Sequence, residues 1–558
     1  MVKFAITNYF VADMKTKKEK HLKVASILMP FSVLLPGCTS DNSEPLVNPE
    51  TNADGKYNII FITTDQEIYM ESYPEGSDYE ARERLRKIGT TFEKHYACSN
   101  VSTSSRSVIY TGRHVTETHM MDNTNLTCQP NMSKDLKTVG DMLRQAGYYT
   151  AYKGKWHISE GDVSLEEYGF SDWTEGDMYG SPLEGFNHDK QIVENACAWL
   201  DTKGKELNKS GKSFFLAVNF INPHDIMYYN EAEGGAFGQA TVAPDDPVYK
   251  KSYPVAISDT WDEPIDKAGR PAVHGEYHDA WEGATGPTPN SQAMWKTFQD
   301  YYFNCIQDCD NQMKILLDKI ESCDLMKNTI IVYTSDHGEL LGAHGLKGKA
   351  GNIYENNIHV PLVVYHPEIA GGASCQHITS HLDLAPTFVD IATDNDAEMN
   401  RIKEGIKGYS LMPAVENPAA DVRNGQGALF VYDMISMMDR EMIARPVNKS
   451  KMDISVDLEK RGYLRGIITE NYKFARYFSP LHFNTPTDIE SLYRMNDVEL
   501  YRYGSDETEN LAWPQGNNEE LVNSYNNMLN QLILQEVGVD DGRETQYFDG
   551  GIMKYARE

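Results

Sequence analysis

Three short runs of unbroken apolar, largely β-branched residues punctuate the chain, at 58–64, 214–220 and 329–334. Runs of this length without polar alternation predict strands buried on both faces, as in the centre of a parallel sheet. Each runs out into polar residues: Asp65, the Asn222-Pro223-His224-Asp225 segment, and Ser335-Asp336-His337-Gly338. Ligands of open α/β sheets bind beyond the carboxyl ends of the strands, so these residues are the first candidates for a site. Helical spacing predicts helices over 138–145, stopped by Gly147, and over 293–321. The stretches 161–186 and 231–289, the latter rich in Gly, Pro and Asp, read as long loops that would wall a pocket. Past residue 423 the pattern changes to short strands at 428–433, 463–469, 473–477 and 499–503, with a packing helix over 519–536. The expected fold is α/β: a large domain at 57–422 with a central, mostly parallel sheet, and a smaller α+β subdomain at 423–558 with an antiparallel sheet.

The first 56 residues have a different character. From Met14, Lys15, Lys17, Lys18, Lys20 and Lys23 precede an apolar stretch at 24–35 that is too short for a comfortable membrane span. It ends in Leu35-Pro36-Gly37-Cys38, which resembles a bacterial lipobox, and passes into polar sequence. Residues 1–37 are therefore expected to be an export signal and 38–56 a polar tether. Either lipid attachment at Cys38 or simple cleavage would follow. The expected location is the periplasm, or the outer membrane or cell surface of a bacterium as a lipoprotein.

Composition narrows the partners. With 52 Lys and Arg against 82 Asp and Glu the formal charge is −30, which excludes nucleic-acid binding through a broad basic surface. An anionic substrate would need positive groups concentrated locally inside an acidic molecule. Eight cysteines in 558 residues do not make a disulfide scaffold. Cys305 and Cys309 share a helical face without a neighbouring His pair, which points to packing rather than to a metal.

Asp65-Gln66 at one strand end and Asp336-His337 at another offer hard oxygen ligands and one imidazole, a set suited to Ca²⁺ or Mn²⁺. Four further segments stand near them in the pattern: Ser102-Thr-Ser-Ser-Arg106 with Thr111-Gly112-Arg113, Gly154-Lys155-Trp156-His157, Asn222-Pro223-His224, and the Asp336-His-Gly-Glu string that reaches Lys349. Together these resemble the type I, formylglycine-dependent sulfatases of the alkaline phosphatase superfamily, in their Ser-type form. The likeness runs from Asn58 to about Leu511 and takes in His381-Leu-Asp-Leu-Ala-Pro-Thr387 and Gly408-Tyr-Ser-Leu-Met-Pro413. Ser102 stands where the commoner residue is Cys, Ser104 where it is Pro, and Gln66 where it is Asp. Cys98 is excluded as the modified position, since the residue four after it is Ser102 and not Arg.

The resemblance implies a sulfuric ester hydrolase. Ser102 would be oxidised to formylglycine by a radical maturase acting on the unfolded chain, and Arg106 would support it. Asp65, Gln66, Asp336 and His337 would hold one divalent cation, Ca²⁺ first and Mn²⁺ as the alternative. Lys155 and Lys349 would bind the sulfate, a protonated His224 would donate to the leaving oxygen, and His157 would take a proton from the sulfated hydrate. Export and the long loops point to a sulfated polysaccharide or oligosaccharide as substrate. The competing function on the same fold is a phosphomonoester, phosphodiester or phosphonate monoester hydrolase, for which Ser102 could stay unmodified. A non-catalytic binding protein is disfavoured by the presence of the whole residue set.

Overall fold

The computed structural model describes residues 51–539, except 127–128, 162, 178–180, 350, 439–457, 482–484 and 506, together with 544–549 and 552–557. The expected export signal at 1–37 and Cys38 lie outside the described residues. All described residues belong to one compact unit, and among them no helix is long and apolar enough to cross a membrane.

A seven-stranded sheet forms the centre. Its order is Tyr149–Gly154, Phe214–Pro223, Asn58–Asp65, Thr329–Ser335, Leu362–Tyr365, Thr90–Phe92, Ala373–Cys375. The first four strands are mutually parallel, and Leu362–Tyr365 pairs antiparallel to both of its neighbours. The three apolar runs are thus adjacent, with Asn58–Asp65 in the middle. All eight of its residues are buried, and its alternating side chains serve two cores. Ile59 and Phe61 pack into one hydrophobic cluster, and Ile60 and Ile62 into the cluster on the opposite face. This is why the run has no polar alternation.

The long helix Gln292–Ser322 and the helix Val139–Gln145, with a Thr138/Asp141 capping box, fall where the spacing put them. Cys305 and Cys309 are buried, free thiols in the long helix. A four-stranded antiparallel sheet follows in the order Ala428–Tyr432, Tyr463–Ile468, Tyr472–Phe478, Asn496–Arg502. One of its faces, with Leu429, Val431, Phe474 and Leu500, packs against Val522, Leu529 and Ile533 of the helix Glu519–Glu536.

Two loop expectations are corrected. The stretch 231–289 contains the helix Val273–Thr285, whose Tyr277, Ala280, Trp281 and Ala284 pack with Phe430, Tyr432 and Ala475 on the other face of the small sheet. Its apolar stripe was masked by Gly275, Gly283 and interspersed acids. The stretch 161–186 holds a 3₁₀ turn at Leu165–Tyr168 and the start of the helix Glu184–Trp199. Packed structure also begins before residue 57, because buried Asn52 donates to Asn58 Oδ1 at 3.0 Å and Ser213 Oγ at 2.8 Å.

Candidate active site

Parallel pairing places the two acid-bearing strand ends side by side: Thr64 is the register partner of Ser335, so Asp65 and Asp336 emerge together. The chain then turns sharply at Gln66, whose φ is +73°. That conformation is held by the Gln66 amide donating to Asp336 Oδ1 at 3.1 Å and by Tyr302 Oη donating to the Gln66 carbonyl at 2.9 Å.

Ser102 is the first residue of the helix Ser102–Thr111, every residue of which is buried. Gly112 ends the helix in the left-handed region, φ +63°, where a Cβ would come within 2.9 Å of Ala385 and 3.2 Å of Ile406. Ser102 Oγ lies 2.9 Å from His337 Nε2, 3.4 Å from Asp65 Oδ1 and 3.2 Å from Lys349 Nζ. One turn along, Arg106 bridges both acids, with Nε to Asp336 Oδ2 at 2.9 Å and Nη2 to Asp65 Oδ2 at 3.1 Å. Its Nη1 donates to the Lys155 carbonyl at 2.9 Å. Ser104, in the position commonly held by Pro, donates its hydroxyl to the Met121 carbonyl at 2.9 Å.

Lys155 follows the strand Tyr149–Gly154 and pairs with Asp65 Oδ2 at 2.9 Å. Gly154 precedes it because a Cβ there would sit 2.0 Å from the Asn219 carbonyl oxygen, at a φ of +86°. His157 is also left-handed, φ +58°. Asp177 fixes this turn, accepting from the Trp156 amide at 2.9 Å and the His157 amide at 2.7 Å. His224 opens the 3₁₀ turn after the strand Phe214–Pro223. Ser102, His157, His224 and Lys349 line one pocket with Asn123, Asn125, Met227, Tyr228, Phe237, Trp281, Met434 and Met437.

Electrostatics follow from burial and the two lysines. Burial opposes ionisation of Asp65, yet Lys155, Lys349 and Arg106 outweigh it and hold the carboxyl well below its usual range. Asp336 is pushed up to about 6 by burial and by the Asp65 charge. Burial, reinforced by Lys155, lowers His157 and His224; burial and Lys349 lower His337. All three imidazoles are therefore neutral at neutral pH. Lys349 comes down to about 8, chiefly through burial.

The atoms suited to a cation converge. Ligand atoms of Asp65, Asp336 and His337, all buried, lie within 4.8 Å of one another. His337 Nδ1 faces the Gly338 carbonyl at 3.0 Å, which puts its proton there and leaves the Nε2 lone pair aimed into the site. The Lys349 ammonium acts as a stand-in positive charge, 3.0 Å from His337 Nε2, 3.0 Å from Gln66 Oε1 and 3.9 Å from Asp65 Oδ1. Two carboxylates, an amide oxygen and an imidazole thus form a set able to hold one divalent cation.

All ten residues singled out in the sequence come to this one place. Sequence reasoning gave no role to Asp177, to Glu339 beneath Gln66, or to Ser105, whose hydroxyl donates to the Asp336 carbonyl. Glu339 stood within the Asp336-His-Gly-Glu string and Ser105 within Ser102-Thr-Ser-Ser-Arg106, so these two had a visible signal and Asp177 had none.

A model of the Sulfatase family matches residues 57–394. The chain belongs to the sulfatase family. It is 26% identical to the N-acetylglucosamine-6-O-sulfatase of Bacteroides thetaiotaomicron over 70% of this chain and 75% of that protein. Among solved structures, one in complex with its substrate D-glucosamine-2-N,6-O-disulfate aligns with a TM-score of 0.58 at 21% identity, covering 87% of this sulfatase and 99% of that chain. The phosphonate monoester hydrolase of Silicibacter pomeroyi aligns with a TM-score of 0.61 at 16% identity, covering 90% and 99%. These two likenesses establish the shared fold. The family match assigns this enzyme to the hydrolases of sulfate esters.

Proposed function

We propose that this sulfatase is an exported bacterial enzyme that removes sulfate from carbohydrate sulfate esters, using position 102 in its formylglycine form and one divalent cation. The observation that carries the proposal is the setting of Ser102 Oγ, within 3.4 Å of His337, Lys349 and Asp65 at once. A hydroxyl held there for structural reasons alone would not need an acid, an imidazole and an ammonium around it. The N-acetylglucosamine-6-O-sulfatase relative and the neighbour solved with a sulfated glucosamine support the sugar class.

Asp65, Gln66, Asp336 and His337 would hold the cation, with Ca²⁺ favoured by three oxygen ligands and Mn²⁺ suited to the imidazole. When bound, it supplies positive charge beside the sulfate and the nucleophile. Formylglycine arises when the Ser102 CH₂OH loses two hydrogens to the maturase, and its hydrate offers the nucleophilic oxygen. Lys155 and Lys349 then bind nonbridging sulfate oxygens. His224 gives a proton to the leaving sugar oxygen as the S–O bond breaks. Since His224 is neutral in the free pocket, it takes up that proton as the sulfate's negative charge enters. His157 removes the proton of the hydroxyl remaining at position 102, so that sulfate can depart.

Peptide mass analysis of protein from a maturase-containing host should show loss of two hydrogens at Ser102. A panel of sulfate, phosphate and phosphonate esters should give the highest kcat/KM on the sulfates. Full activity with only unmodified Ser102 would overturn the formylglycine assignment. Preference for a phosphonate or phosphate ester would move the enzyme to the competing hydrolase class.

A further inference from the structure

Beneath the cation site lies a third buried carboxylate, Glu339, which touches neither Ser102 nor the two acids. One of its oxygens, Oε1, accepts from the Gly348 amide at 2.6 Å and the Leu341 amide at 3.1 Å. The other, Oε2, accepts from Gln66 Nε2 at 2.5 Å. The far end of the same amide, Gln66 Oε1, accepts from Lys349 Nζ at 3.0 Å. Gln66 and Glu339 are both fully buried, so the protein groups beside the amide set its orientation.

An amide side chain can be turned end for end about its last bond at little steric cost, so its neighbours decide which end faces where. For Gln66 the choice is forced. A carboxylate only accepts and an ammonium only donates, so the NH₂ faces Glu339 and the oxygen faces Lys349. We infer that Glu339 is a positioning residue: it selects the orientation of the Gln66 amide that presents an oxygen, not an NH₂ group, to the cation. Through its bond to the Gly348 amide it also holds the loop from which Lys349 projects. The inference rests on the reading above that Gln66 is a cation ligand.

The test exploits the asymmetry of an amide. In Glu339→Gln the side-chain oxygen must stay on the Leu341 and Gly348 amides, because an NH₂ there would face two donors. The new NH₂ then faces the Gln66 NH₂, a clash of donors that the amide escapes only by turning over and offering its own NH₂ to the cation site. The orientation with the oxygen inward thereby loses its selection. Cation affinity, measured by calorimetric titration of chelator-treated protein with Ca²⁺ and Mn²⁺, should fall about 10–100-fold, as is usual when a ligand's supporting partner is lost. The double variant Gln66→Glu with Glu339→Gln should recover it, since a carboxylate at 66 can accept from the new NH₂ with one oxygen and face the cation with the other. A purely structural role for Glu339 predicts no such rescue. Circular dichroism and urea unfolding in chelator would confirm that each variant is folded. Asp336→Ala separates the two levels of argument. If it abolishes binding while Glu339→Gln binds as the parent does, or if the double variant fails to recover, the positioning role is overturned. If Asp336→Ala binds as the parent does, the cation site itself is wrong.

Discussion

Arg106 can be removed and the consequence read without any substrate. Its guanidinium pairs with Asp65 at 3.1 Å and Asp336 at 2.9 Å, and all three side chains are at most 1% exposed. Arg106→Met keeps much of the side-chain volume but strips both acids of a partner. Breaking a buried ion pair typically costs about 3–5 kcal/mol, because the remaining charge stays buried. Two features pull the expected value to the lower end. Asp65 keeps Lys155 at 2.9 Å, and Asp336, already raised to about 6, can escape by taking up a proton. The expected loss in chelator at pH 8 is therefore about 3 kcal/mol. For a chain this long the urea dependence should be at least ~3 kcal/mol per molar, so the unfolding midpoint should fall by at most about 1 M. A cation held by the same carboxylates replaces the missing positive charge. Saturating Ca²⁺ or Mn²⁺ should thus stabilise the variant more than the parent and narrow the gap. A gap that stays constant or widens with the cation would refute the argument that Arg106 and the cation neutralise the same two acids.

Two more outcomes follow. His224→Ala should lower kcat/KM on a sugar sulfate by ~10²–10⁴-fold but on nitrophenyl sulfate far less, since only the poor leaving group needs a proton; equal losses would move the donor role to His157 or Lys349. His344, away from the site, accepts burial's penalty but is raised by Glu263 at 2.6 Å and by Glu507. A His raised on folding stabilises fully below its unfolded value of about 6.5, and that contribution is lost as pH rises through the folded value. The stability difference between the parent and His344→Gln, from urea unfolding, should therefore be larger at acid than at alkaline pH, and a pH-independent difference would contradict the pairing.

Sequence reading succeeded where burial is symmetric or spacing is long. The strands ending at Asp65 and Asp336 announced themselves because both faces are covered, and the helix Gln292–Ser322 because thirty-one residues give the period room to show. It was silent on the helix Ser102–Thr111. That segment is rich in Ser and Thr, poor helix formers, and it is buried on every side, so it carries no amphipathic stripe. The helix Val273–Thr285 was lost inside a glycine- and acid-rich stretch because its apolar residues answer to the small sheet, a partner far away in sequence that begins only at Ala428. The site residues were legible through family-like segments rather than through physics of the local sequence. Asp177 was not, and Glu339 stood inside such a segment without a role, because a residue that only orients another has no chemistry of its own to advertise.

The in-register pairing of Thr64 with Ser335 makes the sheet a ruler for the chemistry. A slip of one residue would carry a carboxylate ~3.3 Å along the strand and turn it to the opposite face. Coordination distances tolerate only about 0.2 Å. An insertion or deletion inside either strand should therefore abolish activity rather than tune it. The segment 231–272 lies outside both strands, so its length does not enter that register. In this architecture the relative placement of the two acids is written in the hydrogen-bond register of two neighbouring strands.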